Sequence, residues 1–505
     1  MIIPIVINNF ILERVKTSKL FDRKRNCITL ILCHLRSKID RQFSRNSNVK
    51  LSIAIGIRSF YKCAALLFFF SSCVRVDTNT EPIFSEVKEE IAQLTNEKIY
   101  WDSSINNAVE TVSVEELLQQ ELTEDFVVQI ALLNNQSLQS FYESLGIAKA
   151  NLAQAALLKN PIFSFANEFS TQSAITDRIS IGLFQNFLDL LLIPLKKKAA
   201  QSELETTKFN LISKILGVIT ETKIAFYSLQ ASEKIWNLKK EILLATSLSY
   251  EASQKLFQAG NIKELTVSME RSLYEQAKLE VANWEIVVLE KREKLNVLMG
   301  LWGHQIDWKI SPTYHETSIQ KKDYDNIENE AITKSLDLKI AFSDLITTAA
   351  SFGIDTTRFI FPQLNIGVSS EREDGVWYVG PAFSIAIPLF DFGQANSAKA
   401  EATIMQKWDQ YTALAIEIRS KARSARFSFL NAQRQSQYLE KVIIPLAEQI
   451  THSVLLQHNA MQMGIFDLLL VKKQELERKI QFVQMHKEYK ISKITLETLL
   501  NGHML

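Results

Sequence analysis

Few residues in this chain have types and spacing that could do chemistry, and the first is Cys73. Arg58 and Lys62 precede an apolar run from Ala64 to Phe70, which ends in Ser71, Ser72 and Cys73. A positive patch, a short apolar core and small residues at a cleavage point make an export signal, too short to span a bilayer as a helix. The competing reading is an uncleaved apolar patch. Residues before about Asn48 fit no part of such a signal. All four cysteines (Cys27, Cys33, Cys63 and Cys73) lie in the first 73 residues, so the rest of the chain holds neither a disulfide nor a cysteine metal site. His458, Met461 and Met463 precede Gly464 and offer soft ligands of the kind Cu(I) takes. Met and His at helical spacing serve packing more often, and no metal site is assigned. The other histidines are scattered, and the chain shows no phosphate loop, no HExxH and no nucleophile elbow. Nothing here supports an enzyme or a bound cofactor.

Charge narrows the partners. Residues 1–72 hold 13 Lys and Arg against 3 Asp and Glu, whereas the remainder holds 44 against 53. The body therefore has no basic footprint for nucleic acid. From Val74 to Gln120 the chain is polar, with Pro82 early and no sustained periodicity, and reads as a linker.

Two stretches must form β-hairpins. In Pro161–Gln185, Phe163, Phe165 and Phe169 alternate with Ser164, Ala166 and Glu168, and Ile179, Ile181 and Leu183 alternate with Ser180 and Gly182. In 362–388, Leu364, Ile366 and Val368 alternate with Asn365, Gly367 and Ser369, and Trp377, Val379, Phe383, Ile385 and Ile387 alternate with Tyr378, Gly380, Ala382, Ser384 and Ala386. Each hairpin has one greasy face and one small or polar face, so it needs apolar medium on one side and space or water on the other.

Everything else reads as long helices, and it repeats. ALLNNQSLQ from Ala131 parallels AITKSLDLK from Ala331, QAGNIKEL from Gln258 parallels QMGIFDLL from Gln462, and LNVLMG at Leu295 parallels LETLLNG at Leu496. Each half is a helix, a β-hairpin and a long helical hairpin, the mark of a tandem duplication. A helix capped by Thr123 runs to about Lys159, and Pro194 with the basic Lys196–Lys198 opens a stretch reaching Ala259. Gly260 and Gly464 are expected at tight turns with positive φ. Leu273, Ala277, Val281, Trp284, Val288 and Leu295 form a narrow seam in the returning helix, as do Leu469, Leu476, Ile480, Val483 and Ile494 in its counterpart. Such seams belong to coiled-coil packing. Helices that touch neighbours on two edges and water on two faces suit a cylinder around a wet lumen.

Membrane-spanning strands must close into a barrel, and four cannot do so alone, so two or more chains would pool their hairpins. The motifs ALLNNQSLQSFYESLGIAKANL, YEASQKLFQAGNIKEL, EREDGVWYVGPAFSIAIPLFDFGQA and NAMQMGIFDLLLVKKQELE resemble those of the TolC-type outer membrane efflux protein family. The similarity is greatest to its lipoprotein branch, associated with heavy-metal and copper handling. The resemblance implies a mainly α fold with a small β part. Duplicated long-helix coiled-coil hairpins would form an α-helical barrel, and four strands per chain would enter a trimeric 12-stranded transmembrane β-barrel. It implies residues 1–72 as an N-terminal extension and lipoprotein-type signal, 73–121 as a polar linker, 122–303 as the first repeat, 304–323 as an inter-repeat linker and 324–505 as the second repeat.

By the same resemblance, the chain is a homotrimeric exit duct in the outer membrane of a Gram-negative bacterium. It is anchored through lipidated Cys73 at a lipobox-like Ser-Ser-Cys, and works with a periplasmic adaptor and an inner-membrane pump. Phe163, Phe165, Phe169, Ile179, Ile181, Leu364, Ile366, Phe383 and Ile385 would face outer-membrane lipid. The tips Gly260, Asn261, Ile262, Glu264, Gly464, Ile465 and Phe466 would dock the adaptor, with apolar residues exposed beside each glycine. The other reading of those apolar residues is that they pack sideways to hold the tunnel closed. Asp467 reads equally as a pore-constricting ring carboxylate and as a first-turn acid stabilised by the helix dipole. Better-known members carry two acids six and nine residues after the tip glycine, where Leu470 and Lys473 stand here. From a different class, a non-conducting coiled-coil surface or periplasmic lipoprotein, a spacer or adhesin, would have no need of two matched hairpins.

Overall fold

A computed structural model describes residues 79–95, 114–169, 177–311, 326–360, 364–387 and 389–504. Cys73 and the signal-like segment lie outside the described residues. In chain order the helices are α1 (Glu81–Thr95), α2 (Val114–Leu118), α3 (Glu124–Asn134) and α4 (Gln136–Ala155), followed by strands β1 (Ile162–Glu168) and β2 (Arg178–Asn186). Two long helices, α5 (Phe187–Gln258) and α6 (Glu264–Met299), complete the first half. The second half repeats the order with α7 (Ile327–Lys334), α8 (Leu336–Ile360), β3 (Leu364–Glu373), β4 (Val376–Ile385), α9 (Gln394–Tyr438), α10 (Ile444–Asn459) and α11 (Ile465–Leu500). Most of the described chain is helical, with one small four-stranded sheet.

The duplication is visible atom by atom. Asn135 ends α3 and caps α4, accepting from the Leu138 N–H at 3.0 Å. Ser335 does the same between α7 and α8, its Oγ accepting from the Leu338 N–H at 3.2 Å. A buried alanine precedes each cap by four residues, Ala131 and Ala331. The C-terminal glycines of the two halves, Gly300 (φ 67°) and Gly502 (φ 98°), approach the matching backbones so closely that an added Cβ would lie 2.5 Å from the Asn134 carbonyl oxygen and 2.3 Å from that of Lys334. Only glycine fits both the left-handed backbone and the contact.

The helices pack where the seams predict. Ala277, Leu476, Ile480 and Val483 meet Ala231, Ile235 and Ile242 of α5 in one buried cluster, against which Trp284 packs. Leu273 instead stays on the surface. Small hydroxyls mark the close approaches: Ser202 Oγ donates to the Ser343 carbonyl at 3.0 Å, and Thr220 and Thr498 share a hydrogen bond of 2.7 Å. The segment after α6 folds back on the first half, where Trp308 is buried and its Nε1 donates to Asn296 Oδ1 at 2.9 Å.

Several elements depart from the sequence reading. The stretch read as a polar linker contains α1, whose Ile83, Phe84, Val87 and Ile91 recur at helical spacing and are buried against Leu211, Ile215 and Tyr142. The helix expected to run unbroken to Lys159 is interrupted at Asn135 and stops at Ala155. Pro194 lies inside α5, which starts seven residues earlier under an Asn186 cap. A proline there forfeits one backbone hydrogen bond, and in the second half the matching helix begins only after an irregular corner. Before Pro445 the helix widens into a π-turn, Leu439–Ile443, the usual way to accommodate one extra residue.

Candidate functional site

Pairing fixes which side chains share a face of the sheet. The order is β1-β2-β3-β4, antiparallel throughout, so both hairpins join into one sheet within the chain. Phe165 pairs with Ile181, Phe163 with Leu183, Leu183 in turn with Val368, Ile366 with Phe383, and Leu364 with Ile385. Paired residues point the same way, so these form one apolar face. On it Phe163, Phe165, Ile366, Phe383 and Ile385 are exposed, while Ile179, Ile181 and Leu364 are half-buried. Phe169 follows β1 in the same phase and is exposed. The tight turn joining β3 to β4 uses left-handed Asp374 and Gly375, the geometry of a two-residue hairpin.

The opposite face carries Ser164, Ala166, Ser180, Gly182, Asn365, Gly367 and Ser384, with two aromatics among them, Phe184 and Tyr378. The ring of Phe184 lies over Gly182 and Gly367, where an added Cβ would come within 2.5 and 2.8 Å of it. Toward the hairpin turns, Arg178 bridges Glu371 at 3.0 Å and also pairs with Glu373. Strands β1 and β4 are the outer strands, and among the described residues neither outer edge is paired.

At the far ends of the long helices the structure corrects the glycine alignment. In the first tip Gly260 is left-handed (φ 75°), as expected, with Gly260 N–H donating to Phe257 and Asn261 N–H to Leu256. In the second tip the same bonds run from Met461 N–H to His458 and from Gln462 N–H to Gln457. Met461 (φ 59°), not Gly464, is thus the counterpart of Gly260. Gly464 has φ −75° and caps α11, its N–H donating to Asp467 Oδ2 at 3.3 Å. Asp467 is exposed and caps its own helix. Asn261 and Glu264 are exposed at the first tip, whereas Ile262, Ile465 and Phe466 are half-buried rather than exposed beside the turns. Met461 is instead almost fully solvent-facing, at 96% exposure.

His458 Nδ1 lies 2.9 Å from the Met463 carbonyl oxygen. Among the described residues no group of three or more His, Cys, Asp and Glu could hold a metal ion. The helical shaft holds several perturbed groups that sequence reasoning missed. Burial pushes the Glu475 carboxyl up, but hydrogen bonds from Lys472 and Lys479, each 2.8 Å, outweigh it and hold the group at about 2. Burial, with Lys490 and Lys234 nearby, pushes His486 down to about 4. At the junction of sheet and shaft, burial would raise the Asp189 carboxyl, but Lys196 (2.5 Å) and Lys159 (3.1 Å) keep it low. His486 Nδ1 lies 3.4 Å from Ser436 Oγ, and Thr451 also hydrogen-bonds Glu475.

No family model matches the chain, and no curated protein matches it. Solved structures do. The outer membrane protein VceC of Vibrio cholerae is 16% identical, with a TM-score of 0.61 over 78% of this chain and 100% of that one. The fold is that of outer membrane channels. The CmeC outer membrane channel of Campylobacter jejuni is 18% identical, with a TM-score of 0.58 over 80% of this chain and 94% of that one. The open state of the MtrE outer membrane channel of Neisseria gonorrhoeae gives 16% and 0.60 over 74% and 88%.

Proposed function

We propose that the chain is the exit duct of a tripartite efflux system, a passive channel for small molecules or metal ions through the outer membrane of a Gram-negative bacterium. The observation that carries this reading is the sheet: one largely apolar face in the open, mostly small and polar residues behind it, and two outer edges unpaired among the described residues. Open edges cannot sit in hydrocarbon. Copies of the chain must therefore pair β1 of one with β4 of the next, and three copies make a barrel of 12 strands. At about 1.5 Å per residue, α5 with its 72 residues runs about 110 Å, enough to carry the duct deep into the periplasm.

In this reading 122–303 and 324–505 are the two repeats, and Cys73 anchors the chain by an acyl group. The turns at Gly260–Glu264 and Met461–Phe466 meet the adaptor, with Asp467 lining the narrow end. A duct needs neither cofactor nor catalytic group. Cargo follows the pump, and the resemblance to the heavy-metal-associated branch makes copper export the first transport assay. The reading is tested by heat-dependent migration of a trimer on gels together with single-channel conductance in planar bilayers. A monomer that conducts nothing would overturn it in favour of a passive coiled-coil spacer.

A further inference from the structure

The corners where the sheet hands over to the helices expose apolar side chains well beyond the strands. Phe390 is 94% exposed, and Ile387, Leu389 and Phe392 lie between 67% and 70%. In the other corner Leu191 is 59% exposed. Asn186 pairs with Asn365 and Ile385 with Leu364, so both corners sit at the same end of the sheet. A ten-residue strand, at about 3.3 Å per residue and tilted by about 40°, spans roughly 25 Å, the height of the apolar band of an outer-membrane barrel. The corners therefore fall at the edge of that band.

Basic residues follow immediately. Lys159 and Lys196 share the single carboxylate of Asp189, which leaves one positive charge over. Lys197 and Lys198 are exposed and have no ion pair among the described residues. Asp355, Asp391 and Glu401, the other acids near this level, stand against Arg358 and Lys399, which still leaves a positive excess once Lys197 and Lys198 are counted, and the Asp391 carboxylate already accepts from the Gly393 N–H at 2.8 Å. Helical side chains lean toward the N-terminus of their helix. Because α5 starts at the sheet, Lys197 and Lys198 lean back toward the corner. Lys197 stands six residues past Leu191, about 9 Å along the axis, and a headgroup layer is roughly 5–8 Å deep. A lysine stem closes the remaining gap by snorkelling.

We propose that this corner is a collar for anionic phospholipid. Its apolar side chains enter the acyl region of the leaflet nearest the helices, and Lys197 and Lys198 hold headgroup phosphates. The proposal rests on the membrane-barrel reading and adds the lipid class to it. Full-length protein is reconstituted in phosphatidylethanolamine vesicles with either spin-labelled phosphatidylglycerol or spin-labelled phosphatidylethanolamine, and the motionally restricted fraction of each label is measured. Phosphatidylglycerol should be preferred by about fivefold per contributing lysine, as expected for basic groups at an anionic surface. Lys197→Gln with Lys198→Gln should abolish most of that preference, while Lys278→Gln, exposed on α6 far along the chain, should leave it intact.

Normal insertion with no preference overturns the collar alone, and is the result expected if a second copy of the chain covers the corner. A preference unchanged in the double variant also overturns it. Failure to enter either bilayer overturns the barrel reading and the collar together.

Discussion

Gly300→Ala and Gly260→Ala form a matched pair whose difference measures one contact. Both backbones are left-handed, at 67° and 75°, so each alanine pays the steric cost of that region, about 1–2 kcal/mol. Around Gly260 an added Cβ meets nothing within 4 Å. At Gly300 it would lie 2.5 Å from the Asn134 carbonyl oxygen, a backbone atom that cannot rotate away. The two segments must separate, which stretches the bonds that Asn134 Nδ2 donates to the carbonyls of Met299 (3.1 Å) and Gly300 (2.8 Å). At about 1 kcal/mol for each bond, Gly300→Ala should cost about 3–4 kcal/mol in all, against about 1–2 at Gly260. Loss of glycine's freedom in the unfolded chain is the same for both and cancels. The assay is thermal unfolding of detergent-solubilised protein followed by circular dichroism. Gly300→Ala should lower the midpoint at least twice as far as Gly260→Ala, and Gly502→Ala should follow Gly300→Ala. Equal shifts for Gly260→Ala and Gly300→Ala would refute the reasoning.

Three further outcomes follow from the same structure. Glu475, held at about 2 in the fold against an ordinary 4.5, contributes stability that is complete above about pH 4.5 and drains away as pH falls toward 2; Glu475→Gln should lower stability at pH 7 and flatten that acid limb in unfolding titrations. His486 stays neutral down to about pH 4, whereas an unfolded histidine takes its proton near 6.5. Native stability should thus decline from pH 6.5 to 4, and His486→Phe, which keeps ring contacts with Phe482 and Tyr489, should remove that part of the decline. Phe165→Arg, on the apolar face, should cost about 2–4 kcal/mol near a bilayer midplane and deplete heat-resistant trimer on gels. Ser164→Arg on the opposite face should not, and equal depletion by both would argue against a lipid-facing surface.

How much was legible depended on whether a pattern had one physical cause. The alternation of Phe163, Phe165, Ile366 and Phe383 predicted the faces of the sheet, because strand geometry leaves no other period. The parallel between ALLNNQSLQ and AITKSLDLK marked the repeat but not the caps inside it, because Asn135 and Ser335 sit within stretches that read as continuous helix. Matching the tips by their glycines failed. Glycine at 464 serves a cap, and the left-handed position fell to Met461, three residues earlier, so residue type misled where only φ could decide. The first helix went unread because four apolar residues over three turns, amid four acids and one lysine, give too weak a period for a helix that takes its stability from docking. Phe184 was missed because the two glycines that accommodate its ring lie on different strands, and nothing in a linear chain shows that they meet.

The π-turn at Leu439–Ile443 has a mechanical consequence. Its opposite number in the first half is uninterrupted α-helix, whereas here one wider turn absorbs a surplus residue so that the faces on either side stay aligned. Both α9 and α10 pack along α11, but beside the widened turn a cleft of about 550 Å³ lies between Tyr438, Leu446, Ile450, Arg478 and Met485. A rod loaded at its end yields first where its cross-section is least filled. Of the two helical hairpins, the second should therefore flex, and it should do so at this widened turn rather than along its length.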